Sequence, residues 1–403
     1  LSAKETKLKS KPWITPVILK LIKTRDKLFS RKKRQPNNEN VRLLYNLFRN
    51  RVVRELNKSK KAYFTSYFKE HSDNIRKTWD GIRKIVNLKG KNQELTQLDI
   101  NGTSTNNPKT IANHVNKFFV NVGPEIDNSV PKINHISASN YLKNRIQSNF
   151  QINQITNQEV GEIIQSLPSK GSGPSSIPLT MLKEAADIIV GPLCYIINVS
   201  FSTGVFPDAL KIAKVLPLHK GGSTQDLNNF RPISLLSIFD KIIEKIMHKR
   251  LYSFLEINEV IYCSQFGFQK NKSTSHSLIE IVEEIRNCVD SGNYGCGIFI
   301  DLKKAFDTVN HNILLGKLEH YGIRGNSLDW FSSYLHNHAQ YVFCNNAKSA
   351  IKSISCGVPQ GSVLGPLLFL LYINDLPNIS TKLKFYLFAD DTNIFFKANN
   401  LKK

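Results

Sequence analysis

The sequence lacks the features that mark membrane, secreted and zinc-binding proteins. Its longest apolar run covers residues 363–373, includes Gly365 and Pro366, and is too short to span a bilayer. No secretory signal is visible at its start. The six cysteines include no closely spaced pair of the zinc-binding kind, and no histidine cluster accompanies them, which favours reduced thiols. We therefore expect an intracellular protein, nuclear and cytoplasmic, with no membrane partner.

Other absences narrow the possible functions. No grouping of serine, histidine and aspartate, or of cysteine and histidine, indicates a nucleophilic hydrolase. Acidic residues are scarce, with 32 against 55 basic residues and a net charge of +23. Residues 1–63 contain 19 basic and 4 acidic residues, which leaves a net charge of only +8 for the other 340. This basic arm favours a polyanionic partner, the alternative being a basic solubilising tail.

The spacing of apolar residues predicts a helical N-terminal region. One helical stripe consists of Val41, Leu44, Tyr45, Phe48, Val52 and Leu56, and a later one of Ile75, Trp79, Ile82 and Val86. A further helix is predicted at residues 108–120, with Pro108 in its first turn. Residues 123–150 are rich in Asn and Ser and lose the periodicity. We therefore predict a basic helical extension over residues 1–122 and a linker over residues 123–157.

The remainder mixes strands and helices. Strands are predicted at residues 211–218 and up to residue 301, a hairpin at 340–355, and long helices at 237–255 and 275–289. This order of elements indicates an α+β fold, not a doubly wound sheet.

Three aspartates stand out in this region. Asp390 and Asp391 lie between two apolar, strand-forming segments, which predicts a turn at the tip of a hairpin. Asp301 ends another apolar run and precedes helically spaced Leu302 and Phe306, so we expect it where a buried strand leads into a helix. If the two strands are neighbours in one sheet, the three acids meet. Such a patch needs a cation and suits two-metal phosphoryl transfer, whereas an isolated Asp-Asp pair is more often a solvated turn.

Five blocks together resemble the reverse transcriptase of a non-LTR, LINE-like retrotransposon. They are NFRPISLL at residues 229–236, QFGF at 265–268, DLKKAFD at 301–307, GVPQGSVLGP at 357–366 and FADD at 388–391. They occur in the order and at the spacing of that family, over residues of about 165 to 395. The resemblance implies a polymerase right hand, with fingers over residues 158–290 and part of the palm over 291–403. It also implies an RNA template, a DNA primer or target, and deoxynucleoside triphosphates.

The resemblance assigns a metal site. Asp301, Asp390 and Asp391 would be the catalytic ligands, with the Leu302 carbonyl oxygen as a further ligand. The ions implied are two Mg²⁺, for which Mn²⁺ could substitute.

The resemblance also assigns substrate contacts. Phe306 would lie under the incoming sugar and exclude a ribose 2′-hydroxyl, the alternative being an ordinary core phenylalanine. Gln360 would touch the incoming nucleotide, and Gly361 would permit close approach of the backbone to it. Arg231 and Lys220 would hold the triphosphate, the alternative for Arg231 being a surface salt bridge.

The chain departs from the family pattern in its middle and at its end. Ser175 and Ser176 stand where the family often has Asp-Gly after a Gly-Pro pair, and only 12 residues follow Asp391, so we expect a fragment without the thumb. The alternatives are an RNA-dependent RNA polymerase or telomerase-like enzyme, and an inactive nucleic-acid-binding remnant. An endonuclease would have to lie before Leu1. Oligomeric state, template and target site do not follow from the sequence.

Overall fold

The computed structural model describes residues 11–86, 95–100, 102–131, 138–143, 145–168 and 177–400. The departure at Ser175 and Ser176 lies outside these residues. The chain divides into two compact units, Leu1–Lys91 and Asn92–Lys403.

The first unit is helical, as predicted, and consists of α1 (Pro16–Arg34), α2 (Glu39–Glu70) and α3 (Ile75–Val86). Thr15 and Asn38 cap α1 and α2, since each side chain accepts a hydrogen bond from a first-turn backbone N–H. Ile18, Ile22 and Val52 form the core between the two helices. The predicted stripe is only partly buried: Val52 is inside, whereas Leu44 is exposed, because a two-helix contact covers a narrow strip of each helix.

The second unit mixes helices with two larger sheets and is consistent with the predicted α+β class. Its helices are α4 (Pro108–Ser129), α5 (Asn157–Ser166), α6 (Leu179–Glu184), α7 (Ala186–Thr203), α8 (Ile238–Ile257), α9 (Thr274–Asp290), α10 (His311–His320), α11 (Asn326–Leu335) and α12 (Gly365–Ile373). Its strands are β1 (Leu98–Ile100), β2 (Thr103–Thr105), β3 (Ile212–His219), β4 (Phe230–Leu235), β5 (Tyr294–Asp301), β6 (Ala339–Cys344), β7 (Ala347–Lys348), β8 (Lys352–Ser353), β9 (Lys384–Phe388) and β10 (Asp391–Ala398).

The sheets fix the relative positions of the predicted blocks. One sheet has the order β5-β10-β9 and is antiparallel throughout. The other has the order β4-β3-β6-β7, with β3 and β6 parallel and β8 paired to β6. The main core lies among α5, α7, α8, α10, α11 and α12, and its largest fully buried side chains include Trp330 and Tyr334.

The boundary at residue 122 differs from the structure. Helix α4 belongs to the second unit and continues past residue 122 into the predicted linker. It buries Ile111 and Val115 with Val342 of β6, and the Asn116 side chain donates hydrogen bonds to the Gln340 and Ala350 carbonyls. Downstream, Phe150 is buried and its N–H donates to the Gly322 carbonyl, at 2.8 Å. These long-range contacts order segments whose local sequence has no regular periodicity.

The surroundings of Asp301 correct two further predictions. Strand β5 was expected to be buried, yet all of its residues are exposed, because among the described strands it pairs only with β10 and forms a sheet edge. The helix expected directly after Asp301 is a short 3₁₀ turn, Ala305–Thr308. The next α-helix begins only at His311, where the Asn310 side chain caps it by accepting from the Asn312 and Ile313 N–H groups.

Helix α7 bears on the expectation that the protein has no membrane partner. Among the described helices it alone is long and apolar enough, by length and composition, to cross a membrane, a test that core helices of soluble proteins also pass. Its buried side chains, including Leu193, Ile197 and Phe201, belong to the main core.

Candidate active site

The strand register brings the three aspartates together. Asp391 begins β10 and lies directly opposite Asp301 at the end of β5. Asp390 occupies the two-residue turn between β9 and β10, next to Ala389, whose φ is +54°. An L-residue seldom adopts this left-handed conformation, so the turn is held by its surroundings. The condition on which the three acids meet, that their strands are neighbours in one sheet, is thus fulfilled.

The electrostatics of the turn favour a cation. Burial raises the pKa of Asp390, and the carboxylates of Asp391 and Asp301 raise it further, whereas Arg231 opposes the shift. The three acids supply hard oxygen donors of the kind that Mg²⁺ prefers. Within the described residues, however, no group of three or more His, Cys, Asp or Glu side chains stands in an arrangement that could hold a metal ion. The acids are therefore adjacent but not converged on one point.

Most predicted site residues line one cleft of about 420 Å³. Those that line it are Lys220, Arg231, Asp301, Leu302, Phe306, Gln360 and Asp390. Asp391 lies on the adjoining surface, which it shares with Asp301. Strand β3 and the Lys220 loop bring in the basic residues, since β3 pairs with β4 and the Lys220 N–H donates to the Asn229 carbonyl, at 2.9 Å.

Sequence reasoning missed two cations in this cleft. Lys303 and Lys304 also line it, directly after Asp301 and Leu302. Lys304 has a positive φ of 55°, its ammonium donates to the Phe230 carbonyl at 3.3 Å, and burial lowers its pKa. The sequence did contain a signal for these two lysines, because they closely follow an acid that ends a strand. An anionic substrate needs cations near the metal ligands.

Phe306 and Gly361 have packing roles that the sequence did not resolve. The Phe306 ring stacks on Phe369, with centroids 4.6 Å apart, and lies edge-on to Phe268, with centroids 6.0 Å apart. Phe306 is therefore both a packed residue and a wall of the cleft. Gly361 has φ of +125°, and a Cβ there would lie 2.6 Å from the Ser234 carbonyl oxygen. The close approach that needs glycine at this position is thus to strand β4, in addition to any approach to substrate.

Gln265 holds the aspartate turn from behind. Its side chain is buried, and its Oε1 accepts hydrogen bonds from the Ala389 N–H at 3.0 Å and the Gly267 N–H at 2.9 Å. The adjacent Phe266 N–H donates to the Leu387 carbonyl, at 2.8 Å. A Cβ at Gly267 would overlap the Ala389 backbone nitrogen. These contacts give the QFGF block a physical role, which is to support the turn that presents Asp390.

Replacing Gln265 by methionine should therefore loosen the turn. The change keeps the side-chain length but leaves two buried N–H groups without an acceptor, which should lower the free energy of unfolding by about 2–3 kcal/mol. Chemical denaturation measures this loss. Gln158→Met on the exposed face of α5 is the matched control. Equal stability of the Met variant and the wild type would contradict a supporting role for Gln265.

Comparison with known proteins agrees with this arrangement. Residues 218–401 match the family described as "Reverse transcriptase (RNA-dependent DNA polymerase)". The chain is 29% identical over 308 residues to the RNA-directed DNA polymerase from mobile element jockey of Drosophila melanogaster, covering 74% of this chain and 33% of that protein. It is 31% identical over 273 residues to the probable RNA-directed DNA polymerase from transposon BS of the same species, covering 64% and 29%.

The jockey protein of Drosophila funebris is 25% identical over 374 residues, with 91% of this chain and 40% of that protein covered. The chain thus spans about a third of the length of these relatives. Residues 218–401 thus carry a reverse transcriptase domain, and the chain is similar to RNA-directed DNA polymerases of non-LTR, LINE-like mobile elements.

Proposed function

We propose that this chain carries out RNA-templated DNA synthesis, joining deoxynucleoside monophosphates to the 3′-hydroxyl of a DNA primer with release of pyrophosphate. The observation that carries the proposal is the direct pairing of Asp391 with Asp301, with Asp390 between the strands and basic residues in the same cleft. Because deoxynucleoside triphosphates and RNA templates are found inside cells, we infer that the protein acts there.

The family uses divalent metal ions in general, and we infer that here they are two Mg²⁺, replaceable by Mn²⁺. Asp301, Asp390 and Asp391 would hold them, with the Leu302 carbonyl as a further oxygen donor. The raised pKa of Asp390 supports this, because burial and the neighbouring Asp391 and Asp301 carboxylates disfavour its charged form and a cation would favour it. When bound, the ions would activate the primer hydroxyl and stabilise the leaving pyrophosphate.

The other residues of the cleft would bind and orient the nucleotide. Arg231, Lys220, Lys303 and Lys304 line the same cleft as Asp301 and Asp390, and they would supply positive charge for the triphosphate. Phe306 would lie against the sugar and disfavour a 2′-hydroxyl. In this assignment the fingers cover residues 158–290 and the palm begins at residue 291.

A non-catalytic nucleic-acid-binding remnant is the competing function. The presence of all three acids, with Asp391 paired to Asp301 and Asp390 in the adjacent turn, argues against it, because a binding surface for polyanions gains nothing from neighbouring carboxylates. An RNA polymerase, the other alternative, would differ from the proposed enzyme by using ribonucleotides in preference to deoxynucleotides.

Primer extension tests the proposal. The 403-residue chain should extend a DNA primer on an RNA template with deoxynucleoside triphosphates and a divalent cation, and should use ribonucleoside triphosphates poorly. RNA binding without extension under any divalent cation would favour the remnant, and preferential use of ribonucleotides would favour the RNA polymerase.

The basic arm should bind RNA through phosphates. Replacing Arg49, Arg51 and Arg54, which are exposed on α2, by glutamine keeps good helix formers while removing three charges. If each contacts one phosphate, the slope of log affinity against log salt should become less negative by about 2, since each contact on a single strand contributes about 0.7. Salt-dependent RNA titration measures the slope. Lys352→Gln with Lys382→Gln, also exposed, is the control, and an equal change in both variants would contradict a role specific to the arm.

A further inference from the structure

Asp307 lies behind the cleft and contacts it through Gln360. The Gln360 side-chain Nε2 donates a hydrogen bond to Asp307 Oδ1, at 2.9 Å. Gln360 lines both the cleft and a second, smaller cavity of about 50 Å³, whereas Asp307 lines only that cavity. The Gln360 backbone is held as well, because its carbonyl accepts from the Ser234 N–H at 2.8 Å. Asp307 therefore controls the Gln360 amide without facing the substrate itself.

The neighbourhood of Asp307 is closely packed. Its backbone carbonyl accepts from the Cys356 thiol, at 3.4 Å, and a Cβ at Gly357, which has φ of +87°, would lie 2.9 Å from that carbonyl oxygen. The second carboxylate oxygen, Oδ2, is buried and has no hydrogen-bond partner among the described residues. Among the described residues, the Asp307 side chain thus has one hydrogen bond, which is to Gln360, and it also feels the charge of Lys304.

This contact decides which atom of the Gln360 amide is available to a ligand. An ionised carboxylate only accepts hydrogen bonds, so it must be the amide nitrogen that faces Asp307. The Oε1 atom is then left without a protein partner among the described residues, and it is an acceptor.

We propose that Asp307 is a positioning residue that turns the Gln360 carbonyl oxygen toward the cleft, so that the site selects a hydrogen-bond donor, such as a hydroxyl, on the incoming nucleotide. The inference rests on the proposed function, since Gln360 is taken to contact the nucleotide. Nothing in the sequence pattern assigns this role to Asp307.

The orientation should depend on pH. Burial raises the pKa of Asp307 to about 6, against the opposing effects of the Gln360 hydrogen bond and the Lys304 charge. The other titratable groups that line the cavity are His311, Tyr334, His338 and Cys356. Burial lowers the pKa of both histidines and raises the pKa of the tyrosine and the thiol, so all four stay neutral near pH 7.

The charge of Asp307 therefore changes as the pH falls through about 6. Its folded-state pKa is raised, so it is ionised above pH 6 and acts only as an acceptor there. As the pH falls through 6, the protonated acid can donate to Gln360 Oε1, which releases the amide from its single orientation.

Steady-state extension by the 403-residue chain tests this, with dTTP on a riboadenylate template and a thymidylate primer. At pH 8, Asp307→Ala should raise the KM for dTTP about tenfold, the effect of losing one well-placed hydrogen bond, with kcat changed less than about threefold. Asp307→Asn keeps an acceptor and should stay near the wild-type KM. Below pH 6, the KM of the wild type should rise more steeply than the KM of Asp307→Asn. Protonation of dTTP affects both proteins equally, so it does not contribute to this difference.

The outcomes separate the inference from the proposed function. An unchanged KM in Asp307→Ala, or the same acid rise in Asp307→Asn and wild type, overturns the inference and leaves the polymerase proposal standing. If Asp307→Ala does not fold, the pH profile of Asp307→Asn carries the test, with Asp329→Asn on α11 as the exposed control. If the wild type binds dTTP in Ca²⁺ without extending the primer, dissociation constants replace KM. A wild type that neither binds nor extends contradicts the proposed function, and the inference with it.

Discussion

Replacing Asp390 or Asp301 by asparagine is expected to lower divalent-cation-dependent primer extension by roughly a thousandfold or more, because each change removes a proposed charged metal ligand, which a neutral amide oxygen replaces poorly. Asparagine has the shape of aspartate, so the β5-β10-β9 register should persist. Extension is measured as single-nucleotide incorporation over a range of Mg²⁺ and Mn²⁺ concentrations.

Although Asp390→Asn should lower activity, it should not lower the free energy of unfolding. An acid whose folded-state pKa is raised, as that of Asp390 is by burial and by Asp391 and Asp301, binds protons more readily when folded. Its charged form therefore disfavours the folded state at neutral pH, and the Asn variant should be at least as stable as wild type without metal. Added Mg²⁺ should raise the melting temperature of the wild type but not that of the variant.

Asp187→Asn, an exposed change in the first turn of α7, is the matched control and should affect neither measurement. Extension at near wild-type rate in Asp390→Asn or Asp301→Asn, with Mg²⁺ stabilising that variant as it does the wild type, would show that these acids are not the metal ligands.

Replacing Phe306 by alanine is expected to raise the use of ribonucleotides relative to deoxynucleotides, by roughly 10- to 100-fold in the ratio of kcat/KM values. The Phe306 ring forms a wall of the cleft beside Asp301, and its backing by Phe369, with centroids 4.6 Å apart, prevents it from moving aside. Removing the ring leaves space for a 2′-hydroxyl.

The same change also removes packing. Loss of a half-buried phenylalanine should cost about 2–3 kcal/mol of unfolding free energy, somewhat less than for a fully buried ring. Phe254→Ala is the matched control, because Phe254 is half-buried against Phe150, with centroids 5.4 Å apart, and does not line the cleft. A stability loss without any change in the nucleotide ratio, in both variants alike, would mean that Phe306 is only a packing residue.

The sequence alone identified the parts of the site whose signals are local. The Asp390-Asp391 turn follows from apolar segments on either side of a polar pair, and Asp301 from its position at the end of an apolar run. Turn and strand formation depend on neighbouring residues, so both features could be predicted. The family resemblance added that the acids belong together, and the pairing of β5 with β10 agrees with it.

The tertiary structure alone decided how these residues are held. Gln265 contacts Ala389 across 124 positions of sequence, and Gln360 contacts Asp307 across 53. Neither partner carries a local signal for the other, because a single hydrogen bond between distant segments leaves no periodicity. The exposure of β5 could not be predicted for the same reason. An apolar run predicts a strand, but only the pairing of distant strands decides that β5 lies at the edge of its sheet. The sequence thus determined the chemical groups of the site, and the packing of distant segments determined their orientation and support.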